Sequence, residues 1–476
     1  MPKKTLSEKV TDAIKGKKGL VWSKGQLNCS YCSMKIEILP NTVSCRVKDH
    51  VATSFHQRKA AAAQQQPLIH VAIDANGKKL RDRQDFHRRF ARAWTAADIP
   101  PEKLTNTALR LFLEKEMDKQ IPAPQTIRNQ VEPLFMERID AIRKRIDSNP
   151  VYMIVDETND PKGRFCVNVM VGLLNGSPAE SMLLDVSFTE RNDNKTIQHV
   201  VMEACKIIWP QENVYHNLHV VVSDQAAYMI LAIKELKNMS LVFPNLHHVT
   251  CLAHSLSRVA EAIRETNSMV NDFVTDFKKL LLKSNKRVRD YKAMTGLPLP
   301  PTPVVTRWGT WLETVAYHVT HYDKVKTFIQ SYKPDSFSAA FSRLKQQVSD
   351  SNKHLQDELL VVEKYCTLSG MIKQLETSGA SMESQLAIIE TAKVLVKGTA
   401  YEEKLTKSLL KNPYLVKFTT PETMDRRKER EFSPLTSVDV ERSFSKFKNL
   451  LRPNRQSMTE QHIKEYMLLE YNNFMK

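Results

Sequence analysis

VYMIVDET (residues 151–158) is where the chain changes period: an apolar run from Val151 to Val155 opens after Asn149-Pro150 and ends in Asp156 and Glu157. RFCVNVMVGLL (164–174) and SMLLDVSF (181–188) repeat that β-branched and apolar composition. Asn159-Asp160-Pro161-Lys162-Gly163 and Asn175-Gly176-Ser177 separate the three runs with turn residues, so the spacing predicts a three-strand meander. A helical stretch over 195–208 leads to a further strand, NLHVVVSD (217–224), and AYMILAIKELKN continues as a helix. Upstream, residues 85–146 carry apolar residues at three- and four-residue spacing, with Pro100, Pro101, Pro122 and Pro124 as breakers. Downstream, residues 252–295 and 311–415 read as helical around LPLPPTP (297–303), and two last helices flank Pro453. The pattern is α/β: a small sheet set among many helices.

The chain has 476 residues, 42% hydrophobic and 26% charged, which excludes wholesale disorder and suggests two to four structural units. No apolar run reaches the ~18 residues of a membrane span, so no membrane partner is expected. Seven scattered cysteines make no disulfide framework and fit a reducing compartment. The net charge of +17 points to a polyanionic partner, nucleic acid first. It is unevenly spread: residues 1–100 carry +11, 151–250 carry −4 and 251–476 carry +9. Residues 1–25, rich in lysine, read as a mobile arm, and AAAAQQQP (60–67) as a linker or helix extension.

Cys29 and Cys32 form C-x2-C, followed after 17 residues by His50 and His56. Two thiolates on a knuckle and two imidazoles on a following helix supply four ligands for tetrahedral Zn²⁺. So small a unit lacks the core to fold alone, and the metal supplies the missing stability. Cys45 is a competing ligand. The spacing and its basic context resemble a BED-type zinc finger such as the DNA-binding unit of CGG-repeat-binding proteins. Lys48, Arg58 and Lys59 are then candidate DNA contacts.

Asp156 and Asp224 each end an apolar strand, so both carboxylates can meet at one edge of a sheet and hold divalent metal for phosphoryl chemistry. Three further motifs follow in order: Cys251-Leu-Ala-His254, Thr306-Arg307-Trp308 and Ser437-Val-Asp-Val-Glu441-Arg442-Ser-Phe444-Ser445. With the leading finger, this series resembles the hAT superfamily of DNA transposases over nearly the whole chain.

The resemblance implies an RNase H-like catalytic domain interrupted by an all-helical insertion, preceded by the finger and a helical region. Asp156, Asp224 and Glu441 would be its Mg²⁺- or Mn²⁺-binding carboxylates, Cys251 and His254 would support the active site, and Arg307 and Trp308 would bind DNA, the ring stacking on a flipped base. The implied divisions are 1–66 (arm and finger), 67–148 (helical DNA-binding or dimerisation region), 149–254 (first part of the core), 255–425 (insertion) and 426–476 (remainder of the core and dimerisation helices). The implied activity is transposition in the nucleus by an oligomer, at least a dimer. Double-stranded DNA would be cleaved at element ends through hairpins and joined to a target. Its alternative is a domesticated, non-catalytic DNA-binding regulator. Two features depart from the family: Lys448 stands where glycine is common, and the insertion is short.

Overall fold

The computed structural model describes residues 4–64, 67–178, 181–282, 284–303, 309–333, 339–349, 353–412, 415, 431–452, 455 and 457–472. The chain divides into two compact units, Met1–Phe90 and Ala91–Lys476. Among the described residues no helix is long and apolar enough to cross a membrane.

The first unit departs from a mobile arm. Helix Leu6–Ile14 opens on a capping box in which Thr5 and Glu8 satisfy each other's backbone N–H groups. A three-stranded antiparallel sheet follows: β1 (Leu20–Ser23), β2 (Gln26–Cys29) and β3 (Met34–Ile36). Helices Val43–Ala52 and Ser54–Gln64 follow, the second incorporating most of the alanine and glutamine run, and the unit continues along helix Pro67–Ala96 as far as Phe90. Val10, Leu20, Leu27, Cys29, Cys32, Ile36, Val43 and Val47 form a small buried cluster in it, with Leu6, Trp22, Tyr31 and Val51 packed against them.

The second unit is built on a mixed five-stranded sheet in the order β6-β5-β4-β7-β8. The strands are β4 (Val151–Asn159), β5 (Phe165–Leu173), β6 (Met182–Thr189), β7 (Leu218–Ser223) and β8 (His247–Thr250). β4, β5 and β6 form the antiparallel meander, while β7 and β8 add parallel to β4 after helical crossovers. β8 is only four residues long and gives no strand signal in the sequence before the Cys251-Leu-Ala-His254 motif.

Because strand side chains alternate, each face has its own core. Met153, Val155, Val167, Val169 and Val221 pack under helices Asn194–Ile208 and Ala227–Asn238. Ile154, Cys166, Met170, Val220 and Val222 face a larger core shared with the helices from Leu252 onward. Between β8 and helix Val438–Leu450 the chain makes a long helical excursion, whose aromatic interior includes Phe273, Phe277, Tyr291, Trp311 and Phe328. Asn472 seals the edge strand β6: its Nδ2 donates to Leu183 O (2.7 Å) and its Oδ1 accepts from Leu183 N (2.9 Å).

Gly172 sits opposite Tyr152 on β4 and β5, where a Cβ would fall 2.2 Å from Tyr152 Cζ. The missing side chain lets the Tyr152 ring lie across the strand and reach Ser181 Oγ at 2.9 Å, which in turn donates to Asp439 Oδ2 at 2.5 Å. Gly172→Ala should therefore destabilise the second unit by ~1–3 kcal/mol, the range for overpacking a dense core, as read from its chemical-denaturation midpoint. An unchanged midpoint would show that the close approach is not a constraint.

Candidate metal centres

In the first unit the fold delivers the four zinc-ligand candidates from separate elements. Cys29 ends β2, Cys32 lies in the turn before β3, and the two histidines lie on two helices rather than one, with Thr53 between them. The ligand atoms of Cys29, Cys32, His50 and His56 all lie within 4.8 Å of one another, so the cluster could hold a zinc ion. His56 Nδ1 is 3.4 Å from Cys29 Sγ and 3.5 Å from Cys32 Sγ. Bonds of 2.0–2.3 Å in a tetrahedron give ligand–ligand edges of roughly 3.3–3.8 Å, so these two spacings match a zinc site.

The donor set also shows what it lacks. His50 Nε2 is buried and has no hydrogen-bond partner among the described residues, and a buried orphan nitrogen is costly unless something binds it. Burial and the neighbouring His56 hold the His50 imidazole below its ordinary pKa, in the neutral form a metal requires. Cys45 is exposed and donates to Asp49 Oδ2 at 3.3 Å, outside the cluster. Lys48, Arg58 and Lys59 are exposed on the two helices.

In the second unit, β4 and β7 run parallel with Ile154 beside Val222. Two residues further along each chain lie Asp156 and Asp224, so this register sends both carboxylates to the same end of the sheet. Alternation keeps Asp156 on the face of Ile154, toward the core that contains Val440 and Phe447 of helix Val438–Leu450. Glu441 occupies the first turn of that helix.

A hydrogen bond fixes the helix there. Asn168, directly across from Asp156 on β5, is fully buried and donates from Nδ2 to Ser443 Oγ at 2.7 Å. Asp156 Oδ1 accepts from Glu157 N at 2.8 Å, and Asp224 Oδ1 from Ala226 N at 3.0 Å. The Asp156 carboxyl is raised to about 7, chiefly by burial, with His254 pulling it down and the charges of Asp224 and Glu441 pushing it up. Glu157, on the opposite face, accepts from the Tyr228 hydroxyl.

Cys251 and His254 connect the sheet to the returning chain. Cys251 N donates to Ser223 O (2.8 Å), and Ser437 N donates to Cys251 Sγ (3.2 Å). His254 lies 3.5 Å through Nδ1 from Ser437 Oγ and 3.9 Å through Nε2 from Glu441 Oε1. Burial opposes charge on this imidazole, but Cys251, Asp156 and Glu441 outweigh it and raise the group to about 10. A cavity of about 140 Å³ opens beside His254 and Glu441.

Arg307 and Trp308 lie outside the described residues. The sequence reading also passed over Gln225, which follows Asp224, is 2% exposed, and bonds Ser255 Oγ (2.7 Å) and Ser408 Oγ (2.7 Å). Nothing local distinguishes such a glutamine from a turn residue, since its partners come from distant helices. Among the described residues the Cys/His group is the one set of three or more such ligands gathered to hold an ion as they stand.

No family model matches the chain, and no curated protein matches it. Among solved structures, the strand transfer complex of the Drosophila P element transposase is similar to it with a TM-score of 0.40 and 9% identity, over 81% of this chain and 91% of that one.

The cluster predicts one zinc per chain by elemental analysis. Cys29→Ser should abolish it and render residues 4–64 sensitive to protease, whereas Cys45→Ser should retain both metal and protection. Equal zinc content in the two variants would overturn the ligand assignment.

Proposed function

We propose that the chain is a metal-dependent DNA transposase of the hAT type, with an RNase H-like core whose reactive centre is Asp156, Asp224 and Glu441. The observation that carries this reading is geometric: the β4–β7 register sends Asp156 and Asp224 to one end of the sheet, and Asn168, across from Asp156, holds the helix bearing Glu441 through Ser443, so three carboxylates from widely separated parts of the chain act on one buried position. Mutually repelling carboxylates around one buried position are the donor chemistry that a hard divalent cation relieves. Mg²⁺ or Mn²⁺ bound there would activate an attacking oxygen and stabilise the leaving one in phosphodiester transfer.

The chain's own residues supply the rest. Asn168 and Ser443 orient the helix bearing Glu441, and Cys251 with His254 holds the segment entering that helix. His254 also places a cationic imidazole near Glu441, where it balances negative charge and can orient a phosphate oxygen. Lys48, Arg58 and Lys59 on the zinc-bearing unit would contact DNA phosphates or base edges, giving the protein its hold on element ends. Arg307 and Trp308 keep the role the resemblance implies, at a flipped base. Joining two ends calls for at least a dimer, and such an enzyme acts in the nucleus by hairpin cleavage and strand transfer.

One observation favours a second reading. The three carboxylates are not gathered as a ready ligand set, in contrast to the Cys/His group, which suits a domesticated DNA-binding regulator that no longer cleaves.

Cleavage and strand transfer on candidate element ends with Mg²⁺ or Mn²⁺ separates the two. The catalytic reading expects Asp156→Ala to lose ~10²–10⁴-fold in rate, the equivalent of several kcal/mol of transition-state stabilisation, with DNA affinity unchanged. Firm DNA binding by the wild type without any cleavage would instead support the regulator, and equal cleavage by the variant would refute the assignment of Asp156.

A further inference from the structure

A cavity of about 670 Å³ in the second unit lies away from the carboxylates, between the Pro100–Asn106 segment, helix Pro124–Ile146 and helix Glu460–Tyr471. That volume is in the range of small-molecule sites. Its lining brings three permanent cations, Lys103, Arg128 and Arg455, against one carboxylate, Glu102. Pro100, Pro101 and Met458 give it apolar wall, and Tyr466 adds an aromatic ring.

The two guanidinium groups are held in place rather than consumed. Arg455, whose side chain is 12% exposed, donates to the Asp98 carboxylate and to Asp98 O at 2.9 Å. Arg128 donates to Glu102 and to Gln125 Oε1 at 3.1 Å. A guanidinium carries five N–H donors, so each keeps several for a ligand while its orientation is set in advance. The half-buried Tyr466 is close enough to Arg455, Glu102 and Arg128 to feel all three charges.

We propose that this cleft binds one phosphorylated nucleoside unit, its phosphate on Arg128, Arg455 and Lys103 and its base against Tyr466 and the proline wall. Arginine forks match phosphate oxygens in a planar, two-bond geometry. An aromatic ring accepts any base, because every base offers a π-face. A bare phosphate would leave the apolar wall uncovered, and an apolar ligand would leave the cations unanswered. The same chemistry is met by a free nucleotide or by one nucleotide of a DNA strand.

Calorimetric titration of the full chain with thymidine 5′-monophosphate and, separately, with tetrathymidylate tests this. EDTA is present during measurement only for time too short to strip zinc, or is replaced by buffer free of divalent metal, so no metal-dependent event at the carboxylates contributes. Binding of the monophosphate assigns the free nucleotide; binding of the tetranucleotide alone assigns the strand; both outcomes support the site if Lys103→Ala with Arg128→Ala weakens the interaction at least about tenfold, as expected from losing charge-assisted hydrogen bonds. Tyr466→Phe, which keeps the ring, should cost only a few-fold. Arg455 is left intact because it also ties down Asp98. Failure of both probes to bind, or binding unaffected by the double substitution in a protein with wild-type circular dichroism, overturns the proposal. The outcome is separable from cleavage, which needs divalent metal and Asp156.

Discussion

The second unit depends on one junction. After leaving β8 the chain makes its helical excursion and must return to the same sheet, and it is fastened there by Leu252 N donating to Leu435 O at 2.9 Å and Ser437 N to Cys251 Sγ at 3.2 Å. Cys251 is itself tied to β7 through Ser223 O. Residues 251 and 252 therefore serve as a fixed point on which the returning segment closes. Because helix Val438–Leu450 begins immediately afterwards, the junction also decides where Glu441 can be.

That placement has an electrostatic consequence. A buried carboxylate is costly when its surroundings add more negative charge, and Asp156 is surrounded by Asp224 and Glu441 with His254 as the nearby counterweight. The fold accepts this load while satisfying the polar groups around it: Asn168 reaches Ser443, and Gln225 reaches Ser255 and Ser408. The zinc-type cluster of the first unit differs, since its ligands already stand within 4.8 Å of one another.

Much of this was legible in the sequence because it is local. The meander β4 to β6 follows from three β-branched runs and two turn clusters, and the C-x2-C and H-x5-H spacings identified the four ligands now seen together. Asp156 and Asp224 were legible as strand ends bound for one sheet edge, whereas the register that carries them there, Ile154 beside Val222, and the junction at Leu252 that returns the helix bearing Glu441 leave no periodic trace. The lysine-rich start has the composition of a mobile arm, yet Val10 packs fully buried and Thr5 with Glu8 caps its helix. Four-residue β8 was too short to stand out beside the motif that follows it.

We propose that Asp156, Asp224 and Glu441 act as one divalent-cation site across the helical excursion. Mn²⁺ binding to the zinc-loaded protein, followed by electron paramagnetic resonance, tests it without reference to any reaction. Bound Mn²⁺ should be lost alike on Asp224→Ala and on Glu441→Ala, each variant retaining its fold. Mn²⁺ binding indifferent to both substitutions, or no binding by the wild type at millimolar metal, would contradict it.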